Sequence, residues 1–277
     1  MKLSGMREVL AARGIGLTKS LGQNFLHDRN QLRRIVEAAD VSKEDSVLEI
    51  GPGLGPLTEL LLEKAGRVLA IEMDARLAEF LRGRFFQPRF ELVHDDALDF
   101  LRRDRRDWSA WKVAANLPYS AASPILVELA RSAAAPKKMA VTVQLEVAQR
   151  IAARPGGRDY GVLTLLLGLD FEVKSSFRIP KSCFFPAPDV ESACLALDRR
   201  ARPLIPPDLR PVFGRIVKRA FSQRRKMLFK LLKSDWPESS LNEAFAALKA
   251  SPRERAEKLS LQQFARLTEI LAEKTAP

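Results

Sequence analysis

Residues 46–55 have the sequence Ser46-Val47-Leu48-Glu49-Ile50-Gly51-Pro52-Gly53-Leu54-Gly55, which predicts a buried strand followed by a glycine turn. A helix from Leu57 to Lys64 is predicted directly after the turn. Further strand-like runs alternate with helical stretches along the chain, at 68–72, 89–93, 111–115, 139–143, 171–177 and 192–197. This alternation predicts a doubly wound α/β domain with a mostly parallel sheet, closed by the last two strands.

The C-terminal part of the chain has a different pattern. Four prolines between Pro203 and Pro211 mark a linker. The segments 212–233, 239–249 and 261–272 are then helical and basic, and Ser260 with Gln263 predicts a capping box for the last of them. We therefore predict a basic N-terminal segment (1–30), an α/β domain (31–200) and a small all-α domain (208–277).

The net charge of +12 is concentrated at the two ends of the chain. Residues 200–277 carry 17 lysines and arginines against 8 acidic residues, and residues 1–30 carry 5 against 2, so the middle is close to neutral. A neutral core with basic ends is typical of a protein that holds a polyanion, and we predict nucleic acid as the partner. The alternative is that these charges only solubilise helix faces.

Composition also limits the class of protein. The longest apolar runs are too short to span a bilayer, and residues 1–10 lack the apolar core of a signal peptide. Two cysteines and two histidines argue against a disulfide scaffold and against a Cys/His zinc site. We expect a cytoplasmic protein, a monomer, that binds neither membrane nor metal.

The glycine turn has the spacing Gly51-x-Gly53-x-Gly55 and opens a helix, so it predicts a ligand close to the backbone. Pro56 occupies a position at which dinucleotide-binding turns have glycine or alanine. The turn therefore argues against NAD.

Acidic residues lie at or near the ends of three predicted strands. Glu72, 21 residues after Gly51, can accept both hydroxyls of a ribose, and Asp96 can bind an adenine amino group. Glu49 suits a cationic amino-acid ligand, whereas Asp95 is better explained as a turn cap. Three acidic residues around one pocket that has no lysine predict S-adenosylmethionine as the ligand, because its sulfonium and ammonium groups are positive.

The tetrad Asn116-Leu117-Pro118-Tyr119 follows the predicted strand 111–115. The lone pair of an adenine N6 is delocalised into the ring, so N6 is a poor nucleophile. An asparagine oxygen and a neighbouring carbonyl of Leu117 or Pro118 can accept its two N–H bonds and return the lone pair to nitrogen. Proline stiffens the turn, and tyrosine offers a stacking surface to an extruded base. The alternative is an ordinary strand-to-loop turn.

With these motifs, the chain closely resembles the KsgA family of ribosomal RNA small-subunit adenine N6,N6-dimethyltransferases. The similarity spans almost the whole chain. The matching segments are 19–26 (Lys-Ser-Leu-Gly-Gln-Asn-Phe-Leu), 49–55, Glu72, 96–98, 116–119, Gln144, Glu146, Arg150, 159–161, 184–192 (Phe-Phe-Pro-Ala-Pro-Asp-Val-Glu-Ser), 221–226 and 255–260.

The resemblance implies a Rossmann-like class I methyltransferase domain. It implies transfer of two methyl groups to N6 of each of two adjacent adenosines near the 3′ end of small-subunit (16S) rRNA, within the assembling 30S subunit. The N-terminal segment would cover the cofactor site. The residues implied to line the cofactor pocket are Asn24, Leu26, Gly51, Glu72, Asp96 and Asn116, to which the glycine turn adds Gly53.

Stacking and RNA contacts complete the predicted site. We predict that the target adenine lies between Tyr119 and Phe184, although Phe184 could also be a core residue. The cluster Arg224, Arg225 and Lys226 is predicted to contact RNA phosphates, with a solvated helix face as the alternative.

The chain departs from the family pattern at a few positions: Ala115, Ser120, Leu145 and His94-Asp95. Two other functions are compatible with parts of this pattern. A DNA adenine-N6 methyltransferase would use the same tetrad, but the segment around Asn24 and the basic tail argue against it. An assembly factor without catalysis would not need Glu72, Asp96 and Asn116 together.

Overall fold

The computed structural model describes residues 1–17, 23–132 and 134–273. Contacts divide the chain into two compact units. Unit 1 comprises Met1–Ala148 and Val173–Arg199, and unit 2 comprises Gln149–Glu172 and the residues from Arg200 onward. The motif residues Lys19, Ser20, Leu21 and Gly22 lie outside the described part of the chain.

A seven-stranded sheet organises unit 1, in the order β4-β3-β2-β5-β6-β9-β7. The first five of these strands are parallel, and β9 is antiparallel to β6. The sheet reverses its strand order at β2, which has β3 on one side and β5 on the other, so a ligand crevice is expected at their carboxyl ends. The strands are β2 (Ser46–Ile50), β3 (Arg67–Glu72), β4 (Phe90–His94), β5 (Lys112–Asn116), β6 (Lys138–Gln144), β7 (Phe171–Ile179) and β9 (Ser192–Arg199). The predicted α/β fold with a mostly parallel sheet is confirmed.

Three aspartates at helix starts fix the loops of unit 1. Asp28, Asp74 and Asp96 each accept hydrogen bonds from backbone N–H groups in the first turn of the following helix. Asp74 and Asp96 follow β3 and β4, so their helices begin at the carboxyl edge of the sheet. The helices are α1 (Leu3–Ala12), α2 (Arg29–Ala38), α3 (Pro56–Lys64), α4 (Ala75–Arg84), α5 (Ala97–Arg103), α6 (Ala122–Arg131) and α7 (Leu145–Ile151), which continues into unit 2.

Two short strands join the N-terminal segment to a distant loop. β1 (Phe25–Leu26) pairs antiparallel with β8 (Phe184–Phe185), with Leu26 opposite Phe184. The His27 amide also donates to the Cys183 carbonyl at 2.9 Å. This pairing fixes the residues just before Phe25 beside the glycine turn.

A buried charge cluster holds the amino-terminal edge of the sheet. The carboxylate of Asp45, 4% exposed, accepts from Lys112 Nζ at 2.9 Å and from Lys137 Nζ at 2.7 Å. Ser42 donates to the same carboxylate through its amide and its hydroxyl, both at 2.8 Å. Burial alone would raise the pKa of Asp45, but the hydrogen bonds from Lys137, Lys112 and Ser42 outweigh it and hold this pKa well below its usual value.

Unit 2 is built from α-helices around its own apolar core. Its large buried side chains include Tyr160, Phe213, Phe245 and Phe264. The Tyr160 hydroxyl donates to the Leu259 carbonyl at 2.9 Å. The helices are α8 (Val162–Gly168), α9 (Arg210–Ala220), α10 (Leu228–Leu232), α11 (Glu238–Ala247) and α12 (Leu261–Glu273). The capping box predicted for α12 is present, with Ser260 and Gln263 bonded to each other's backbone amides.

Two details of unit 2 differ from the sequence expectation. The helix predicted over 212–233 is interrupted, because residues 221–226 form turns between α9 and α10. The Phe221 ring lies 6.1 Å from the rings of both Tyr160 and Phe264, which holds the chain in this turn. The segment 149–172, which the sequence placed in the α/β domain, groups with unit 2 because Tyr160 and Leu165 belong to its core.

Candidate active site

A cavity of about 250 Å³ lies at the carboxyl ends of the central parallel strands. Acidic and amide side chains line it together with apolar ones, and among the described residues no lysine or arginine contributes to its wall. A ligand with positive groups therefore suits it. The lining residues are Gln23, Asn24, Phe25, Ile50, Gly51, Gly53, Ile71, Glu72, Met73, Leu77, Asp95, Asp96, Ala97, Asn116, Leu117, Pro118, Ser120, Ala121 and Ile125.

The glycine turn forms the floor of this cavity with left-handed backbone. Gly51, Gly53 and Gly55 have φ of +70°, +60° and +76°. A Cβ atom on Gly53 would lie 2.7 Å from the ring of Phe25, which also lines the cavity. Glycine at position 53 therefore permits both the turn and the close approach of the N-terminal segment.

We expect Gly53→Ala to destabilise unit 1. The left-handed conformation costs an alanine about 1–2 kcal/mol, and displacement of Phe25 adds to this. Gly83→Ala in α4 is the matched control, since a Cβ there meets nothing within 4 Å, and it should gain about 0.5–1 kcal/mol. Chemical denaturation of both variants measures the difference, and equal stabilities for the two would contradict this role of Gly53.

Glu72 ends β3 with its carboxylate held by the backbone. The side chain is 6% exposed, and it accepts from the Gly53 amide at 3.0 Å and the Asp74 amide at 2.9 Å. One bond goes to each carboxylate oxygen, so each oxygen keeps a lone pair for a ligand hydroxyl. Burial raises the pKa of Glu72 above its ordinary value, and the hydrogen bonds from the backbone amides only partly oppose this.

Asp96 and Asp95 line the cavity at the start of α5. Asp96 Oδ1 accepts from the amides of Leu98 at 2.8 Å and Asp99 at 3.0 Å, which leaves Oδ2 outside the helix cap. Asp95, which the sequence placed in a turn cap, lines the cavity, and its carboxylate contacts Arg103. The acidic residues of the wall are therefore Glu72, Asp95 and Asp96.

Glu49 does not line the cavity, which corrects the predicted contact with a cationic ligand. It is 1% exposed, and its carboxylate accepts from the Thr58 hydroxyl at 2.7 Å. Burial raises the pKa of Glu49 to about 8, and the Thr58 hydrogen bond only partly opposes this. The residue is directed toward α3 because Thr58 lies in the first turn of that helix.

Asn116 ends β5 with its amide oriented by the N-terminal segment. Its Nδ2 donates to the Asn24 carbonyl at 2.9 Å, and a carbonyl can only accept, so the orientation of the amide follows. Its Oδ1 is buried and has no hydrogen-bond partner in the described part of the chain. A buried acceptor without a partner is costly, and one that lines a cavity points to a donor on a ligand.

The rest of the tetrad is fixed from both sides. The Leu117 amide donates to the Thr142 carbonyl at 3.1 Å, and the Pro118 carbonyl accepts from the Ala121 amide at 3.0 Å. The Pro118 carbonyl thus already closes a turn, so the Leu117 carbonyl is the better second acceptor for an amino group. The half-buried Tyr119 bonds through its hydroxyl to Ser192.

Four groups of predicted site residues lie away from the cavity wall. Tyr119 is the one member of the tetrad that does not line the cavity. Leu26 is 2% exposed and Phe184 is 3% exposed, and both belong to the apolar core, where β1 pairs with β8. Asn24 and Phe25, which directly precede Leu26, line the cavity instead. In unit 2, Arg224, Arg225 and Lys226 are exposed on the turns that follow α9, not on a helix face.

Sequence reasoning did not identify every lining residue. Met73 is 53% exposed beside the cavity, and because single exposed apolar side chains are common on protein surfaces, the sequence gives no signal for it. Gln23 is held near the cavity by Asp74, to which its Nε2 donates at 3.0 Å. No local pattern predicts that contact.

The described ranges contain no group of three or more histidine, cysteine, aspartate or glutamate side chains placed to bind a metal. None of the helices within them is both long and apolar enough to cross a membrane.

The chain is similar to known proteins over most of its length. The family model described as ribosomal RNA adenine dimethylase matches residues 16–273. The ribosomal RNA small subunit methyltransferase A of Moorella thermoacetica is 40% identical, with 94% of each chain covered. Its counterpart from Geobacter metallireducens is 39% identical, covering 93% of this chain and 96% of its own.

Solved structures have the same architecture. The 23S rRNA methyltransferase ErmE aligns with a TM-score of 0.67 at 28% identity, over 90% of this chain and 99% of its own. A dimethyladenosine transferase from Plasmodium falciparum aligns with a TM-score of 0.72 over 88% of this chain and 95% of its own. At 23% identity, this second similarity supports the fold alone.

Proposed function

The chain belongs to the ribosomal RNA adenine dimethylase family, and we propose that it transfers two methyl groups to N6 of each of two adjacent adenosines near the 3′ end of small-subunit rRNA. Family membership makes it an S-adenosylmethionine-dependent rRNA adenine dimethyltransferase. The position and number of the target adenosines, the 30S subunit as partner and a role in small-subunit assembly belong to the proposal. The buried, unpartnered Oδ1 of Asn116 is the observation that supports it best.

The acidic lining of the cavity, without lysine or arginine among the described residues, suits the positive groups of S-adenosylmethionine. Glu72 would accept from the ribose hydroxyls, because each of its oxygens keeps a free lone pair while backbone amides hold it in place. Oδ2 of Asp96 would accept from the adenine amino group of the cofactor. At Gly51 and Gly53 the absence of a Cβ atom would let the cofactor approach the backbone closely, while their amides stay bonded to the Ile71 carbonyl and to Glu72. When bound, the cofactor supplies an electrophilic methyl group on a sulfonium.

Asn116 and Leu117 act on the target base. An adenine extruded from its stack can donate one N6 hydrogen to Asn116 Oδ1 and the other to the Leu117 carbonyl. Both bonds pull the lone pair back onto N6 and aim it at the methyl group, and such positioning supplies much of the rate. The N6 proton becomes acidic only after alkylation, so a strong general base is not required.

Tyr119 provides the stacking surface for the base in this proposal. Stacking on an aromatic side chain contributes about 1–3 kcal/mol, which helps to offset the cost of extrusion. A stacking role for Phe184 requires its ring, 3% exposed, to move toward the cavity. For RNA backbone contacts we propose Arg224, Arg225 and Lys226, whose contribution should fall steeply with salt.

Substitution of Glu72 by glutamine should weaken cofactor binding. The amide removes one acceptor and one charge, and a hydrogen bond to a charged group is worth about 1.5–3 kcal/mol, so Kd should rise by roughly 10–100-fold. Calorimetric titration with S-adenosylmethionine measures this, with Glu44→Gln at an exposed position as the control. An unchanged Kd for Glu72→Gln would place the ribose elsewhere.

Transfer of labelled methyl groups to different nucleic acids tests the proposed substrate. We expect label in under-methylated small ribosomal subunits, and none in large subunits or in duplex DNA. Label in duplex DNA alone would favour a DNA adenine-N6 methyltransferase. Label in large subunits alone would show that the substrate is large-subunit rRNA and would contradict the proposal. Binding of small subunits without any transfer would favour an assembly factor.

A further inference from the structure

Tyr119 and Ser192 form a hydroxyl pair between the tetrad and β9. The Tyr119 hydroxyl and the Ser192 Oγ lie in hydrogen-bond contact. Neither residue lines the cavity, and Ser192 is fully buried, so a bound ligand does not reach its side chain. The proposed mechanism leaves this serine without a role.

Strand pairing explains why Ser192 reaches Tyr119. β9 is antiparallel to β6, so Ser192, its first residue, lies opposite Gln144 at the carboxyl end of β6. β5 pairs with β6 on the other side, with Asn116 opposite Thr142. The carboxyl end of β6 thus has the tetrad on one flank and Ser192 on the other.

The position of Ser192 is itself fixed by the backbone. The Leu145 amide donates to the carbonyl of Glu191 at 2.9 Å, immediately before Ser192. The tetrad is held at its backbone by Leu117, whose amide donates to Thr142. That backbone hydrogen bond does not fix the side chain of Tyr119, whereas the hydrogen bond between its hydroxyl and Ser192 does.

We propose that Ser192 is a positioning residue, whose hydroxyl fixes the Tyr119 ring at the angle at which the target adenine stacks on it. This rests on the proposed function, since it assigns the ring to stacking. A tyrosine ring free to change rotamer would lose conformational freedom each time a base binds, and fixing it beforehand removes that cost. Burial also raises the pKa of Tyr119, so its hydroxyl stays protonated and able to donate to Ser192.

A purely structural role makes a different prediction. If the pair only satisfies two buried hydroxyls, then its removal lowers stability and leaves the kinetics of the folded enzyme unchanged. If the pair positions the ring, its removal lowers kcat/KM for the RNA substrate and leaves cofactor affinity unchanged. The two roles therefore separate in the kinetics.

A double-mutant cycle on the full chain tests the positioning role. Ser192→Ala, Tyr119→Phe and the double variant are compared in initial rates of methyl transfer to under-methylated small subunits. We expect kcat/KM to fall 3–30-fold in each single variant, the range that corresponds to about 0.6–2 kcal/mol, with the Kd for S-adenosylmethionine unchanged. The double variant should be no slower than the slower single variant, because both substitutions remove the same contact.

Controls keep this test separate from the proposed function and from folding. Ser240→Ala removes a buried serine of α11, 7% exposed, and should leave kcat/KM unchanged. If Ser192→Ala unfolds, Tyr119→Phe alone still removes the contact. Two results with an active wild type would overturn the positioning role. One is a double variant whose loss of kcat/KM equals the product of the two single losses. The other is a Tyr119→Phe variant with kcat/KM within twofold of wild type. An inactive wild type would overturn the proposed function instead.

Discussion

Asn116→Ala should abolish most methyl transfer while the protein still binds S-adenosylmethionine. The substitution removes the acceptor that returns the N6 lone pair to nitrogen, and loss of one pre-positioned hydrogen-bonding group costs on the order of 10²–10³-fold in rate. Cofactor affinity should change little, because Glu72 and Asp96 keep their backbone-fixed orientation. Single-turnover transfer to under-methylated small subunits measures the rate.

The structure offers a matched control for this substitution. Asn242→Ala removes an exposed asparagine from α11 and should leave both rate and affinity unchanged. Asn116→Ala also removes the hydrogen bond to the Asn24 carbonyl, so some loss of stability, about 1 kcal/mol, should accompany the loss of rate. A rate within tenfold of wild type would show that Oδ1 is not the essential acceptor. Retained binding of subunits without transfer would show a separate assembly role.

Asp45→Asn should cause the largest loss of stability among the substitutions considered. The variant removes the carboxylate that the half-exposed Lys137 and the buried Lys112 share, and it leaves Lys112 with the more distant carboxylate of the exposed Asp40, at 3.8 Å. Breaking a buried charge pair in this way costs about 3–5 kcal/mol. Asp198→Asn is the control, because its pair with Lys138 is 3.4 Å long and partly exposed, and such pairs contribute about 0–1 kcal/mol.

The effect of Asp45 should depend on pH in a defined direction. The folded pKa lies below the unfolded value of about 3.9, so the carboxylate stabilises the fold fully above that value. This stabilisation is lost as the pH falls from about 4 toward the folded pKa. Denaturation midpoints of wild type and Asp45→Asn should therefore differ most at neutral pH and converge in acid. A difference that is constant with pH would contradict the role of the charge.

The central sheet could be predicted because its signals are local. Each parallel strand is a short apolar run. Glu72 and Asn116 end two of these strands and Asp96 follows a third, so the sequence predicts all three side chains at the carboxyl edge of the sheet. Parallel strands bring their carboxyl ends together, and the cavity contains all three side chains. Sequence order alone was enough for these positions.

Side-chain direction and long-range pairing were not predictable in the same way. Glu49 lies in a strand buried on both faces, so periodicity could not show whether its carboxylate is directed to the cavity or to Thr58. The pairing of β1 with β8 involves two residues on each side, too few for a recognisable pattern. The turns at 221–226 contain neither glycine nor proline and depend on the packing of Phe221.

Nucleoside mass spectrometry of the methylated small-subunit rRNA tests the proposed reaction most directly. Under-methylated subunits are incubated with the enzyme and S-adenosylmethionine, and the 3′-terminal fragment is isolated and digested. We predict N6,N6-dimethyladenosine at two adjacent positions, and its loss when Asn116→Ala replaces the wild type. Monomethyladenosine as the final product, or modification at a single or distant position, would contradict the proposed dimethylation of an adjacent pair.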